Sequence, residues 1–518
     1  MQDISGIKRE PYYDYSPHSY VTVIPVEYSC SSDASSIAGH MRQSDESRLS
    51  ECDTPHRLAS SYRSLHTEHI PHQPSVNRSF HSCYPSSSSS SEWNDGSSRT
   101  QNKRQVCVFL MNKVGLCLDV ERIQQVTAQN LLDVIFEDDQ EVGLPVKARE
   151  IFSLWITSPL LELQLKPHQK PFCIRQQWTE LLRKYTTANG QKIEMDEPIL
   201  SFQRNVFFDR REEIRIDDMK IMELLYEEAK ANILDGRYPC EIEDCEVLAG
   251  IQARLELGAF DIHIHTPNYF RTRLQDYLPA HACKRGWSFF GFGSKTGPEH
   301  RIIEKYKNIS SNTTTYKLLR KYLEFCWALP YYGSAFFQGQ VERSVKGISA
   351  LINHYDMPIL IAINREGIHL IKHNEAVVLL SLHYQQFSWD YASPLQANNS
   401  DCLPCLFIQF HMPGTRRQES KLLQIFSRQA FLMDKLICAF VEELKKQNPW
   451  RDQVDHLSAT DPPEDDVFPI SPAKLYSELS LTRNLKRLSL ATFNETVLKA
   501  FKNRWLGQLK CQTTALGI

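Results

Sequence analysis

The stretch that divides this chain reads YLEFCWALPYYGSAFF over residues 322–337. A helix predicted from Tyr316 to Trp327 ends before Pro330, because proline has no amide hydrogen to donate within a helix. Upstream, residues 213 to about 335 carry apolar residues at helical spacing, whereas residues 345–447 carry the short apolar runs of strands. We therefore expect a helical unit and a β-sheet unit to meet here.

The helical region has the pattern of a compact bundle. Its predicted helices align their apolar residues on one face and are joined by short loops. The first follows Asp217 and Asp218 and stops at Gly236, the second runs from about Cys245 to Leu257 and ends at Gly258, and the third covers Tyr316 to Trp327.

The strand region has the layout of a pleckstrin-homology or phosphotyrosine-binding domain. A long helix is predicted from Leu422 to Leu444, and it would plug one end of a sandwich that otherwise exposes its core. The strands before it are predicted at Ile359 to Asn364, Ile368 to Ile371, Val377 to Leu382, Phe387 to Tyr391 and Leu406 to Phe410.

A third unit precedes the helices and begins near residue 103. A β-hairpin is predicted across Asn112, and Thr127 is expected to cap a short helix. Strands follow at Ile151 to Ile156 and at Leu160 to Leu165. Hairpin, helix and further strands within about a hundred residues indicate a small α+β roll like ubiquitin.

Residues 1–102 differ from the rest of the chain in composition. About one quarter of them are serine, including the run 86–91, and periodic apolar residues are nearly absent. Such a segment cannot bury enough surface to offset the entropy of ordering it, so we expect a disordered tail.

The overall composition narrows the function classes. Lys and Arg number 59 against 62 Asp and Glu, a formal charge of -3, which argues against a surface built to grip nucleic acid. No signal peptide or membrane-length apolar run stands out. We expect a soluble, cytosolic protein whose membrane contact is peripheral, with its 14 cysteines reduced.

No motif for catalysis, a cofactor or a metal is convincing. The loop Gly291–Gly297 lacks the spacing of a Walker or kinase phosphate loop, and a flexible connection is the better interpretation. Cys402 and Cys405 have only His411 nearby, too few ligands for structural zinc. About seventy residues follow position 447, too few for a catalytic domain. The sequence therefore predicts a protein that is not an enzyme and binds no cofactor.

The three units, in this order, resemble the three lobes of a FERM domain. The stretch 322–337 is similar to a signature of that family, as are 224–229 with 235–238 and Tyr277-Leu-Pro279. The resemblance covers residues 103–447. It implies an α+β trefoil with a ubiquitin-like lobe (103–209), a helical, acyl-CoA-binding-like lobe (210–337), a PH/PTB-like lobe (345–447) and a C-terminal tail (448–518).

Four further segments are similar to one subfamily of FERM proteins: 158–167, 195–198, 204–208 and 237–245. That resemblance implies a scaffold for cytoplasmic segments of membrane proteins at the plasma membrane. Its implied partners are inactive rhomboids (iRhoms), whose ADAM sheddase it helps to deliver and keep at the surface, and the lipoprotein-receptor-related co-receptor of Wnt signalling. The alternative is a phosphoinositide-binding membrane–cytoskeleton linker of the band 4.1 type.

The resemblance also implies two binding surfaces. An extended peptide adds as a strand beside the final helix of such a sandwich, although core packing is the alternative role for about half of the residues concerned. Acidic phospholipid headgroups bind between the first and third lobes, for which a solvated surface is the alternative. The peptide groove would use Phe387, Ser388, Trp389, Tyr391, Phe426, Ala430 and Met433, and the lipid site Lys166, Lys170, Arg183, Lys184, Arg365 and Lys372.

The C-terminal tail carries one further pattern. Thr492 and Glu495 have the spacing of a capping box, and apolar residues then recur every four positions. This predicts an amphipathic helix over 492–509 that docks on the lobes or on a membrane, with an irregular tail as the alternative. Ser489 follows basic residues, so it is a candidate phosphorylation site that would tune this docking.

Overall fold

The computed structural model describes residues 21–25, 103–112, 114–137, 143–283, 297–342, 356–394, 402–411, 420–447, 484–485 and 487–493. These residues form an α/β roll, a helical bundle and a β-sandwich closed by a helix, in the predicted order. The α+β architecture of three lobes is thus confirmed.

The first lobe packs helices on a sheet with strand order β1-β3-β2-β6-β4-β5. Its first helix begins as predicted: the Asn130 amide donates to Thr127 Oγ1 over 3.2 Å, and the Thr127 amide donates to Asn130 Oδ1 over 3.0 Å. The elements are β1 (Val21–Pro25), β2 (Lys103–Leu110), β3 (Val114–Glu121), α1 (Ala128–Glu137), α2 (Ala148–Ile151), β4 (Phe152–Thr157), β5 (Glu162–Gln164), α3 (Pro171–Gln176), α4 (Trp178–Tyr185), α5 (Gly190–Met195) and β6 (Ile199–Arg204).

Strand β1 comes from the segment that was expected to be disordered. It pairs antiparallel with β3, with Val21 opposite Leu118. Within 1–102 the structure thus describes one strand, because the outer edge of β3 offers Val21–Pro25 hydrogen-bonding partners that composition cannot reveal. The other residues of 1–102 lie outside the described ranges.

The second lobe is the predicted bundle. Its longest helices stop at glycines with positive φ, Gly236 at 71° and Gly258 at 79°, a conformation that costs glycine little. The Asp218 carboxylate caps the first of them by accepting from the Ile221 amide over 3.1 Å. The helices are α6 (Arg210–Glu213), α7 (Met219–Leu234), α8 (Ile242–Leu257), α9 (Pro267–Arg271), α10 (Leu274–Tyr277), α11 (Pro298–Lys307) and α12 (Thr315–Trp327).

The third lobe is a sandwich with strand order β10-β9-β8-β7-β13-β12-β11. Its helix α13 lies against β8, β11 and β12. The elements are β7 (Ala335–Val341), β8 (Met357–Ile363), β9 (Gly367–Lys372), β10 (Val377–His383), β11 (Phe387–Ala392), β12 (Cys405–His411), β13 (Ser420–Phe426), α13 (Ala430–Gln447) and, from the tail, β14 (Ala491–Phe493).

Strand β7 pairs with β8 along its whole length, so the sheet of this lobe also includes residues before the predicted start at 345. One predicted helix boundary in this lobe is wrong. The long helix begins at Ala430 and not at Leu422. The stretch Ser420–Phe426 is a strand paired with β12, and its clustered apolar residues fit both periodicities.

A buried ion pair joins the first lobe to the second. Arg204, at the end of β6, donates to Glu213 over 2.6 Å, and both side chains are buried. Glu213 also accepts from the Trp327 indole over 2.8 Å and from the Tyr332 hydroxyl. Next to this cluster, a Cβ on Gly333 would lie 2.4 Å from the Arg204 guanidinium. The contact between lobes therefore requires glycine there.

Candidate functional site

The candidate peptide groove lies along β11. This strand pairs with β12 on one side, and no strand in the described residues pairs with its other side. Helix α13 packs beside it. An edge strand with unpaired backbone groups next to a helix can accept an extended peptide as an additional strand.

Aromatic and acidic side chains bridge the strand and the helix. The Trp389 indole donates to Asp434 Oδ1 over 3.1 Å, and the Tyr391 ring meets the Phe431 ring edge-on with centroids 5.8 Å apart. The Lys435 ammonium lies 5.1 Å from the centre of the Phe431 ring. These contacts hold the groove in a defined shape.

The predicted groove residues separate into two groups. Phe387, Ala430 and Met433 are buried in the sandwich core. Ser388 is exposed, and the side chains of Trp389 and Tyr391 are half-buried at the groove.

One predicted groove residue stands on a different element. Phe426 is on β13, where it faces Cys405 of β12, so the prediction that the final helix carries it is wrong. Its strand replaces what was expected to be the first turns of that helix.

Sequence reasoning missed Phe431 and Asp434, which complete the groove. Phe431 is 39% exposed, the most exposed large apolar residue described in this lobe. It falls off the apolar stripe formed by Ala430, Met433 and Ile437. A large aromatic residue off the stripe of an amphipathic helix was the signal available in the sequence.

The groove is acidic as well as aromatic. Asp390 and Asp434 lie close enough to interact, and burial, together with the charge of Asp434, raises the pKa of Asp390. Asp434 also accepts from the Cys438 thiol over 3.8 Å. Lys435 already pairs with Asp434 over 3.2 Å, so Asp390 is the carboxylate that a basic side chain of a ligand would meet.

The structure divides the predicted lipid-binding cations. Arg365 donates to the Phe207 carbonyl over 3.0 Å and to Glu443 over 2.9 Å, and Lys372 pairs with Glu375. The first-lobe cations, Lys166, Lys170, Arg183 and Lys184, are exposed. None of the helices within the described ranges is both long and apolar enough to cross a bilayer.

A polar cleft lies where the three lobes meet. Arg237 donates to Glu162 over 3.0 Å, and Glu228 accepts from the Arg204 amide over 2.7 Å. Burial raises the pKa of Glu228 to about 7, opposed by the Arg204 amide and guanidinium. The cleft therefore holds a carboxyl group that titrates near neutral pH.

No arrangement for catalysis or metal binding stands out in the described residues. No group of three or more His, Cys, Asp or Glu side chains there is placed to hold a metal ion. Cys402 is partly exposed and Cys405 is buried. Most of the loop Gly291–Gly297 lies outside the described residues.

The C-terminal tail forms a strand where a helix was predicted. Thr492 and Phe493 belong to β14, which pairs with β13, so a helix beginning at 492 is wrong. The remainder of the predicted helix, 494–509, lies outside the described residues. Ser489 stands just before this strand and is half-buried.

Comparison with known proteins identifies the family. The description "FERM central domain" matches residues 211–337, and "KRIT1/FRMD8, FERM domain C-lobe" matches 357–436. FERM domain-containing protein 8 of Mus musculus is 40% identical over 357 residues, 66% of this chain and 74% of that protein. The Homo sapiens protein is 37% identical over 403 residues, 75% of this chain and 85% of that protein.

The chain belongs to the FERM family. The resemblance read from its motifs was to this same subfamily, FERM domain-containing protein 8, also called bilious, and it is confirmed. Among solved structures, the MyTH4-FERM domain of human Myosin 7b in complex with a harmonin-a PDZ3 domain is similar, with 17% identity and a TM-score of 0.45 over 66% of this chain and 60% of that one. FERM proteins are generally non-enzymatic scaffolds.

Proposed function

We propose that this FERM protein is a non-enzymatic adaptor that binds cytoplasmic segments of membrane proteins at the inner face of the plasma membrane. The observation that carries the proposal is the open edge of β11 beside α13, bordered by Tyr391 and Phe431. The peptide adds to this edge as a strand and leaves the chain's own sheet intact.

The groove chemistry defines the peptide that it accepts. An aliphatic or aromatic side chain of the peptide packs between Trp389, Tyr391 and Phe431. A lysine or arginine nearby faces Asp390, since Asp434 already pairs with Lys435. We therefore propose an extended segment that combines an apolar anchor with a basic residue.

Similarity to FERM domain-containing protein 8 supports a narrower proposal about the partners. In this proposal the protein binds the cytoplasmic segments of inactive rhomboids and stabilises their complexes with an ADAM sheddase at the cell surface. It also binds the lipoprotein-receptor-related co-receptor and thereby modulates Wnt signalling.

Binding of the full chain to peptides from these cytoplasmic segments tests the groove. Tyr391→Ala and Phe431→Ala each remove one side of the aromatic contact and should weaken binding about tenfold, since anchor residues of this kind contribute more than about 1 kcal/mol. Tyr316→Ala is the matched control, because Tyr316 is similarly exposed but lies on α12.

Two results would contradict the groove assignment. One is unchanged binding in folded Tyr391→Ala and Phe431→Ala chains. The other is an equal loss of binding in Tyr316→Ala, which would place the contact on the second lobe or reflect a general loss of affinity.

We propose a second, weaker contact with acidic phospholipids through the first lobe. It is supported by the exposure of Lys166, Lys170, Arg183 and Lys184. Co-sedimentation with vesicles containing a phosphoinositide should fall when all are changed to alanine. It should not fall in Arg365→Ala, because that guanidinium already pairs with Glu443. Loss of vesicle binding in Arg365→Ala alone would instead favour the linker of the band 4.1 type.

A further inference from the structure

A segment of the C-terminal tail, residues 484–485 and 487–493, lies across the third lobe; we call it the C-terminal strap. Leu485 and Leu488 are buried within the hydrophobic core of the sandwich. The Asn484 side chain donates to the Val378 carbonyl over 3.0 Å. The strap is thus packed as part of the lobe, although it follows α13 by some forty residues of chain.

The strap ends as a strand on β13. Strand β13 pairs with β7 only at Ile425 and Phe426. Strand β14 lies on the same side of β13 further along, with Ala491 opposite Leu422. Where β7 ends, the Ser489 amide donates to the Glu342 carbonyl over 3.3 Å. The strap therefore continues the line of β7 and covers backbone groups of β13 that β7 leaves unpaired.

Ser489 stands within a kinase-recognition pattern. The sequence Lys486-Arg487-Leu488-Ser489 places basic residues three and two positions before the serine. Kinases that select such sites bind the substrate as an extended chain and read the basic side chains with carboxylates. In the docked strap, Arg487 pairs with Glu375 and Leu488 is buried. The same residues cannot serve a kinase and the lobe at once.

We propose that Ser489 is a phosphorylation site whose modification and the docking of the strap exclude one another. In the reaction, Ser489 Oγ attacks the γ-phosphorus of ATP and the hydroxyl proton passes to the base of the kinase. The bond from the γ-phosphorus to its bridging oxygen breaks, and ADP leaves. The kinase reaches Ser489 when the strap leaves the third lobe.

The phosphate then opposes return of the strap. It adds about 1.5 to 2 negative charges at a half-buried position. Arg487, two residues away, can pair with either the phosphate or Glu375, so the phosphate competes with the ion pair that anchors the strap. Phosphorylation thereby exposes the covered edge of β13 and the surface beneath Leu485 and Leu488.

Phosphorylation of the full chain by the catalytic subunit of cAMP-dependent protein kinase with ATP tests the site. Leu485→Ser removes a buried anchor yet lies outside the residues that such a kinase reads, so Ser489 should be phosphorylated at least fivefold faster in this variant. Ser489→Ala should lose the phosphate, and a peptide of residues 480–495 should be modified equally fast with either residue at 485.

Hydrogen exchange on the phosphorylated full chain tests the exclusion. Amides of the strap and of residues 420–422 should exchange at least tenfold faster than in the unmodified chain. Those of β12, on the other side of β13, should stay unchanged. Absence of phosphate at Ser489 in both chains, equal rates in wild type and Leu485→Ser, or unchanged exchange after phosphorylation would each overturn the proposal.

Discussion

The third lobe has two places where a further strand can pair, along β11 and along the 420–422 end of β13. They differ in whether the chain already supplies that strand. Along β11 no strand in the described residues pairs with the outer side, and Phe431 is exposed nearby. Along β13 the backbone of 420–422 is paired with β14, and Leu488 of the same strap is buried.

The two surfaces therefore differ in the free energy that must be supplied before a ligand strand can pair with them. A ligand at β11 displaces water and meets side chains already in position. A ligand at β13 must first expose Leu485 and Leu488, each worth about 1.5–3 kcal/mol of burial. The β11 edge is therefore suited to constitutive binding, whereas the β13 edge opens only when something weakens the strap.

The largest expected effect is on stability, and it distinguishes the buried face of α13 from its exposed face. Met433 is fully buried, so Met433→Ala should lower the free energy of unfolding by about 2–5 kcal/mol. Phe431→Ala should cost less than about 1 kcal/mol, since that ring borders the groove. Urea denaturation of both variants measures this. A similar loss in the two would mean that Phe431 is part of the core and that the β11 edge is not open.

The next effect tests the covered edge. Leu488→Ala should lower the local opening free energy of the strap by about 2 kcal/mol, because it removes a side chain that is only 4% exposed. Exchange of the Ser489 amide should accelerate, with global unfolding little changed. Ala491→Ser, at an exposed position, serves as the control. If the Ser489 amide exchanged at the wild-type rate in Leu488→Ala, burial of Leu488 would not hold the strap on β13, and the proposed difference between the β11 and β13 edges would be wrong.

The sequence predicts elements well where one local pattern decides. The reciprocal bonds of Thr127 and Asn130, the cap at Asp218 and the glycine at 236 each fix a helix end from neighbouring residues alone. Strand β13 lacks such a signal, because Leu422, Ile425 and Phe426 suit a helix as well as a strand. Its identity depends on pairing with β12, which local periodicity does not contain.

The part of the candidate site that lies on the edge strand β11 was predictable from the sequence. Residues 387–391 were placed beside the final helix, and Trp389 and Tyr391 do contact that helix. The strap was not predictable. The three residues of β14 form a strand only because β13 supplies the partner, some seventy positions away in the chain.

A smaller effect tests the junction that holds this lobe against the others. Glu228 has its pKa raised to about 7 by burial, so the folded chain keeps a proton that the unfolded chain has lost above its ordinary pKa. The resulting stability is complete below about pH 4.5 and is lost as pH rises through about 7. Because the side chain is partly exposed, we expect a loss of about 1–2 kcal/mol.

Unfolding measured from pH 4.5 to 7.5 in wild type and Glu228→Gln tests this contribution. The glutamine variant should show a flatter dependence, and Glu121→Gln, at an exposed position, should match wild type. If the free energy of unfolding changed with pH equally in wild type and Glu228→Gln, the pH dependence would come from other groups. The third lobe would then be held in place independently of this carboxyl group.

The smallest effect concerns the ion pair at the rim of the strap. Glu375 accepts from Lys372 and Arg487, and these bonds lower the pKa of its carboxyl. The group is exposed, so Glu375→Gln should reduce the opening free energy of the strap by less than about 1 kcal/mol. Raising the salt concentration should loosen the wild-type strap and leave Glu375→Gln unchanged, because screening acts only on the charged pair.

Lys372→Gln separates the two partners of Glu375, since it keeps the bond to Arg487. Strap exchange should resemble wild type in Lys372→Gln and be faster in Arg487→Gln. If Lys372→Gln loosened the strap as much as Arg487→Gln, Glu375 would act by shaping the turn between β9 and β10 rather than by holding the strap. The covered edge would then depend on Leu485 and Leu488 alone, and a phosphate on Ser489 would have no ion pair to compete with.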